Sequence, residues 1–353
     1  MQYKQLDGLR FIAVLSVILH HICPLPSFID FNLGAFGVDL FFVISGFLIT
    51  EILLREKIKG TSVLLTLKIF FSRRVLRIFP LFYLYILICL LIVPQQTREH
   101  INWLLTYTIN IWVILKDQQP FWYFNHLWSL CVEEQFYIFW PFLIMGTPLK
   151  RLRLLFILMI FLAIAIRIVV TIYYNGYSLF NYSMLPTTFD CFGFGALLAL
   201  LKEVNPTLLN KIFRHKYFIA LGILLAILNN KFGSVLTQQA FGKTIFAFVS
   251  FYLVGIAATI RFKSISRLIL ENKAIMYFGR ISYGMYVYHL LIWGSFGKYF
   301  TNFWHWLHFT NTVYKSFFEF VFILICTILV AGLSYELFEK RFLYLKKYIS
   351  FAK

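Results

Sequence analysis

Charged side chains are in short supply. Asp, Glu, Lys and Arg make up 14% of the 353 residues, where a soluble globular domain carries roughly a quarter. With 60% of the chain hydrophobic, an ordinary soluble fold is excluded, and the chain reads as an all-α integral membrane protein. Acidic residues are scarcer still, 15 against 33 Lys and Arg, leaving a formal charge of +18. In a membrane chain such an excess reports orientation, so it does not imply a nucleic-acid partner. The five cysteines are scattered and odd in number, which leaves no legible disulfide framework and no metal-ligand spacing. No cleavable-signal pattern precedes Arg10, so the first apolar run is expected to be retained. Linkers, low-complexity segments and internal repeats are missing too. Residues 1–353 are therefore expected to form one membrane domain without a fused extracellular domain. The lack of a repeat weighs against transporters built from duplicated halves.

What is present is a series of apolar runs. They predict about ten transmembrane helices, near 9–24, 35–54, 75–93, 125–145, 154–173, 186–202, 216–230, 242–260, 275–296 and 315–337. A further run, 101–115, is short. With both termini cytoplasmic and 101–115 re-entrant or interfacial, 26 of the 33 Lys and Arg lie on the inner side and six on the outer. Letting 101–115 cross would move Lys150, Arg151 and Arg153 outside, against the positive-inside rule. The chain is expected in the inner (cytoplasmic) membrane, in contact with membrane lipids.

Several of the few polar residues recur at helical spacing inside these runs. In residues 6–21, LDGLRFIAVLSVILHH, Arg10 and His21 return to nearly one face, about 16 Å apart along the axis; His20 points elsewhere. Ionisable groups at such depth face a protein interior or a wet cavity and are functional candidates; headgroup anchoring is the simpler role for Arg10. In the second run, GVDLFFVISGFLIT, Asp39 either pairs with His21 and orients its imidazole for general-base work or caps its own helix. Lys68, Arg73, Arg74 and Arg77 share KIFFSRRVLRIFP. Arginine forks suit phosphate, while inner-side anchoring explains any one of them equally well. In NHLWSLCVEEQFYIFWP, residues His126, Ser129 and Glu133 share one stripe, continued by Tyr137. Asp190 opens an inward span, Arg167 lies within another and can snorkel, and Tyr283, Tyr286 and His289 lie on GRISYGMYVYHLLI.

Taken together and in this order, LDGLRFIAVLSVILHH, GVDLFFVISGFLIT, SRRVLRIFP, HLWSLCVEEQFYIFWP, FGRISYGMYVYHLLI and YELFEKRF resemble membrane acyltransferase family 3, integral-membrane enzymes that O-acylate surface glycans. Its arginine–ten residues–histidine arrangement falls on Arg10 and His21. Its paired loop arginines fall on Arg74 and Arg77, and its SxxxE-x-Q-F-Y segment on Ser129, Glu133, Gln135, Phe136 and Tyr137. Arg341 stands where relatives often carry proline, and Thr188 where they carry a basic residue. The resemblance implies an acyl-CoA donor, usually acetyl-CoA, taken from the cytoplasmic side, and a glycan or lipid-linked saccharide acceptor at the outer face. No permanently bound cofactor is implied. His21, Asp39 and Glu133 are then the expected catalytic group. Arg10, Arg73, Arg74 and Arg77 are expected to bind CoA, and His126, Ser129, Asp190, Tyr286 and His289 the substrate. A transporter or flippase of a polar or lipid-linked solute is the rival reading, with the same polar stripe serving as its pathway.

Overall fold

The computed structural model describes residues 3–23, 32–215, 217–260, 263–307 and 312–349, and every regular element among them is helical. In chain order these are α1 (Lys4–Ile22), α2 (Leu33–Ile58), α3 (Val63–Ile92), α4 (Pro94–Leu105), α5 (Ile109–Lys116), α6 (Leu127–Gly146), α7 (Leu149–Tyr173), α8 (Leu179–Ser183) and α9 (Phe189–Val204). Then come α10 (Pro206–Phe213), α11 (Tyr217–Phe232), α12 (Val235–Gly255), α13 (Ser264–Leu270), α14 (Lys273–Arg280), α15 (Ser282–Trp306), α16 (Thr312–Ser334) and α17 (Lys340–Leu345). A π-helical turn, Tyr335–Glu339, joins α16 to α17.

Among the described residues, seven helical segments are long and apolar enough to cross a bilayer: those built on α1, α2, α3, α7, α9, α12 and α16. The other expected runs differ for local reasons. Helix α6 carries Glu133, Glu134 and Gln135 in succession, which lowers its hydropathy. Helix α11 has only 16 residues, and the run 275–296 is interrupted between α14 and α15 at Ile281.

Helix α3 begins twelve residues before the expected span. The Ser62 side chain caps it by accepting from Leu65 N at 3.2 Å, and Arg73, Arg74 and Arg77 ride on this continuous helix. Residues 101–115 fall into two pieces, α4 with 12 residues and α5 with 8. Neither piece is long enough to cross. The break is at Tyr107, with φ at 54°. There Gln135 of α6 donates to Tyr107 O at 3.2 Å and to Asn110 Oδ1 at 3.0 Å, pinning the turn.

Helix α2 is the axis of the bundle. Its apolar window is 78% buried, against 28% for α7 and 17% for α16, which therefore present most of their surface to lipid. It lies closest to α9, where Gly195 meets Val43 and Gly46 meets Phe192; a Cβ added at Gly195 would sit 2.3 Å from Val43 O. Small residues allow such approach, and in lipid the gain is van der Waals packing. Stacked rings continue the contact, with Phe192 3.9 Å from Phe136 and 5.0 Å from Phe42 between centroids.

A buried ion pair ties α7, α9 and α12 together. Arg167 Nη2 donates to Asp190 Oδ2 at 2.7 Å, and the same guanidinium reaches Thr187 O, Ala240 O and Thr244 Oγ1. Every lobe of the charge is matched, so Arg167 does not snorkel. Outside the bundle, Gln5 Nε2 donates to Glu271 Oε1 at 2.8 Å and holds that carboxyl below its usual range.

Two outcomes follow from this packing. Gly195→Val forces α2 and α9 apart and should lower unfolding stability in mixed micelles by about 1–3 kcal/mol. Asp190→Ala leaves Arg167 buried without its counter-charge and should cost about 3–5 kcal/mol. Unchanged denaturation midpoints would contradict both.

Candidate active site

A cavity of about 880 Å³, counting its mouth, opens between α1, α2, α3, α6 and α15. Arg10 enters it from α1, and Arg74 and Arg77 from α3. Arg10 Nη1 pairs with Asp7 Oδ1 at 3.2 Å. Arg74 lies against aromatic faces, its guanidinium carbon 5.2 Å from the centre of Tyr137 and 5.6 Å from that of Phe70. Neither Arg74 nor Arg77 makes an ion pair with a carboxylate among the described residues. Arg74 is half-buried and Arg77 exposed; guanidinium groups without a counter-charge favour an anionic guest, and their forks suit phosphate. Lys346, near the end of the chain, adds to the positive field around these arginines.

A polar knot on α6 and α2 also lines the cavity. Glu133 Oε1 accepts from Tyr137 Oη at 2.6 Å and from Ser45 Oγ, and the two hydroxyls lie 3.1 Å apart. Glu133 and Tyr137 are one turn apart on α6, which is why both reach the same point. Glu134 also lines the cavity. The inner end is closed by Ser129, Phe41 and Tyr286. Tyr286 Oη donates to His126 O at 3.0 Å and lies 2.5 Å from Ser129 Oγ, and its ring meets Phe41 edge-on at 6.3 Å.

Behind that lid three histidines meet. His289 Nε2 lies 3.0 Å from His21 Nδ1, and the two rings stack with centroids 5.1 Å apart. His289 Nδ1 lies 2.6 Å from Tyr286 O. His126 packs edge-on against His289 at 4.9 Å, with its Nε2 on Val287 O at 3.1 Å. His21 is half-buried and His20 exposed. The face shared by Arg10 and His21 is thus turned inward, but His21 stands beyond the cavity wall and does not line it.

The structure places several of the expected residues apart from this cavity. Asp39 does not contact His21: its Oδ1 accepts from Cys191 Sγ at 3.5 Å, and its Oδ2 has no partner among the described residues. The α1-facing residue of α2 is Gly37, where an added Cβ would lie 2.4 Å from Ala13 O; Asp39, two residues on, is turned about 200° away. Nor does Asp39 cap α2, because Asn32 does so by accepting from Ala35 N. Asp190 is held by Arg167 and Thr244, wholly buried and outside the cavity lining. Arg73 lies outside the cavity lining, its Nε buried and unpartnered. His126 and His289 face protein carbonyls and each other instead of the cavity.

Arg10, Arg74, Arg77, Glu133, Ser129 and Tyr286 do meet at one space. Sequence reasoning missed Ser45, Glu134 and Ser282 as wall residues. The spacing of Ser45 carried no signal. Glu134 could have been suspected from the insertion cost of a second membrane carboxylate, about 2.5–3.5 kcal/mol at mid-span.

O-acetyltransferase OatA of Staphylococcus aureus (strain NCTC 8325 / PS 47) is 28% identical over 95% of this chain and 56% of its own length. A Bacillus subtilis protein named "Putative peptidoglycan O-acetyltransferase YrhL" is 40% identical over 42% of this chain and 25% of its own length. The chain thus spans about half the length of the S. aureus relative that it matches from end to end. No solved structure matches. A family model described as an acyltransferase domain matches residues 3–336, and with seven apolar helices of spanning length the chain belongs to acyltransferase family 3, a family of multi-pass membrane acyltransferases.

Proposed function

We propose that this protein is an O-acyltransferase of the inner (cytoplasmic) membrane. It moves an acyl group, acetyl by preference, from cytoplasmic acyl-CoA to a hydroxyl of a cell-surface or lipid-linked glycan. The observation that carries the reading is the convergence of Arg10, Arg74 and Arg77 on one cavity, two of them without a carboxylate partner among the described residues. In the proposed topology both termini are cytoplasmic, about ten segments cross, and α4–α5 form a re-entrant or interfacial hairpin. The arginines then stand at the cytoplasmic mouth, where CoA is available.

In this reading Arg10, Arg74 and Arg77 hold the phosphates of CoA. The thioester arm runs past Leu48 and Glu133 toward Phe41 and Tyr286, and that aromatic pair parts to admit the thioester to His21. His21 removes the proton of the acceptor hydroxyl as its oxygen attacks the thioester carbonyl. Glu133, already linked to two hydroxyls, relays protons or contacts the sugar. The named activities of the relatives support acetyl as the transferred group and a wall glycan as acceptor.

Purified protein in nanodiscs, assayed for CoA release with a glycan acceptor, tests the assignment. Arg74→Ala and Arg77→Ala should each raise KM for acyl-CoA by about 10-fold or more, the equivalent of one lost charge-assisted hydrogen bond; an unchanged KM would remove the donor site from this cavity. His21→Ala should abolish transfer at normal protein level, and retained turnover would remove the proposed base.

A further inference from the structure

We infer that His289 is a positioning residue that fixes the tautomer of His21 and leaves His21 Nε2 as the free base nitrogen. The purpose of this arrangement rests on the acyl-transfer reading above, but its geometry does not.

The argument is a count of protons. A carbonyl oxygen can only accept, so the 2.6 Å contact between His289 Nδ1 and Tyr286 O requires the proton on Nδ1. A bare Nδ1 there would oppose two lone pairs. His289 is fully buried, and no carboxylate hydrogen-bonds to it among the described residues, so a charged ring would be left uncompensated at a cost of several kcal/mol. His289 is therefore neutral with a bare Nε2. That lone pair lies 3.0 Å from His21 Nδ1, and a contact of this length needs a proton, which His21 must supply. With Nδ1 protonated, a neutral His21 has its lone pair on Nε2. That atom makes no hydrogen bond among the described residues and is not among the buried unsatisfied atoms, so it stays reachable by a hydroxyl.

Other groups around the pair leave this order intact. From α1, the Val17 carbonyl one turn back also draws on the His21 ring, and His20 stands 5.8 Å away between ring centres. From α6, His126 meets His289 with Nε2 committed to Val287 O. From α15, Tyr286 lies 5.7 Å from His289. None of them offers an anion.

The transfer balances on these atoms. The acceptor O–H proton passes to His21 Nε2 while the oxygen's electron pair forms the new C–O bond. The C–S bond breaks with its pair going to sulfur, and the sulfur takes the proton back from Nε2. While His21 is cationic, its Nδ1–H to His289 Nε2 becomes a charge-assisted bond, which steadies the imidazolium at the moment of attack. Without His289 the Nδ1 proton loses its imidazole acceptor, only the Val17 carbonyl still draws on the ring, and the tautomer protonated at Nε2, which has no base to offer, becomes populated.

Nitrogen-15 NMR of histidine-labelled protein in nanodiscs reads the tautomer directly, the His21 signals being assigned by their loss in His21→Asn. The native protein should show a protonated Nδ1 and a bare Nε2 at His21. His289→Leu should shift His21 toward Nε2 protonation, and His289→Gln, whose amide oxygen can still accept, should keep the native pattern. His289→Asn reaches Tyr286 O but not His21, so it should behave like the leucine variant and replaces it if the latter does not fold. In the CoA-release assay kcat should fall at least about 100-fold in the Leu and Asn variants. KM for acyl-CoA should stay within about twofold, and Gln should restore much of the rate. A native His21 protonated at Nε2, or a tautomer indifferent to residue 289, would overturn the inference. The native nitrogen pattern in a protein that transfers no acyl group would instead overturn the acyl-transfer reading and leave the tautomer assignment standing.

Discussion

Positive charge gathered at one cavity, at Arg74 and Arg77, without a carboxylate among the described residues to pair with it, is the constraint on which the site depends. Membrane-embedded arginines are expensive, and this fold shows two ways of meeting the cost. Arg167 is answered completely by Asp190, Thr244 and two carbonyls and is closed to everything else. Arg74 is held against aromatic faces, and both Arg74 and Arg77 open onto the cavity. The first arrangement is a clamp between helices. The second is a site that is complete only when an anion arrives.

The rest of the bundle serves to keep those two arrangements apart. Because α2 is pressed against α9 through Gly46 and Gly195, one side of α2 carries Ser45 to Glu133 while another carries Asp39 to Cys191. Glu133 thereby gains hydroxyl partners and, among the described residues, no cation within ion-pair distance, and the arginines keep their charge for a ligand. Tyr286 connects the two working ends. Its ring and hydroxyl close the cavity, and its carbonyl holds His289, which in turn holds His21. One residue of α15 thus links the space where a donor would lie to the imidazole that would use it.

Much of this was legible in the sequence. The shortage of charge predicted an all-helical membrane protein, and the eleven-residue step from Arg10 to His21 predicted one inward face. The i, i+3, i+7 run through His126, Ser129 and Glu133 placed those residues along one side of α6. What failed was pairing. Asp39 was paired with His21 because a short segment links their helices, but sequence proximity does not reveal which side of α2 turns toward α1, and Gly37 had already taken that side. Asp190 looked like a free carboxylate because its partner, Arg167, lies 23 residues earlier on another helix. His289 looked like a substrate contact for the same reason, since His21 is 268 residues away. Periodicity reports which residues of one helix share a side, and it is silent about which helix that side meets.

The central claim is that the arginine-lined cavity is a CoA site, and a cryo-EM structure of the protein in nanodiscs with a non-reactive thioether analogue of acetyl-CoA tests it most directly. The account predicts phosphate oxygens within about 3 Å of the Arg74 and Arg77 guanidinium nitrogens, with the thioether end directed toward Tyr286 and His21. Density for the analogue elsewhere on the protein, with this cavity empty, would contradict it.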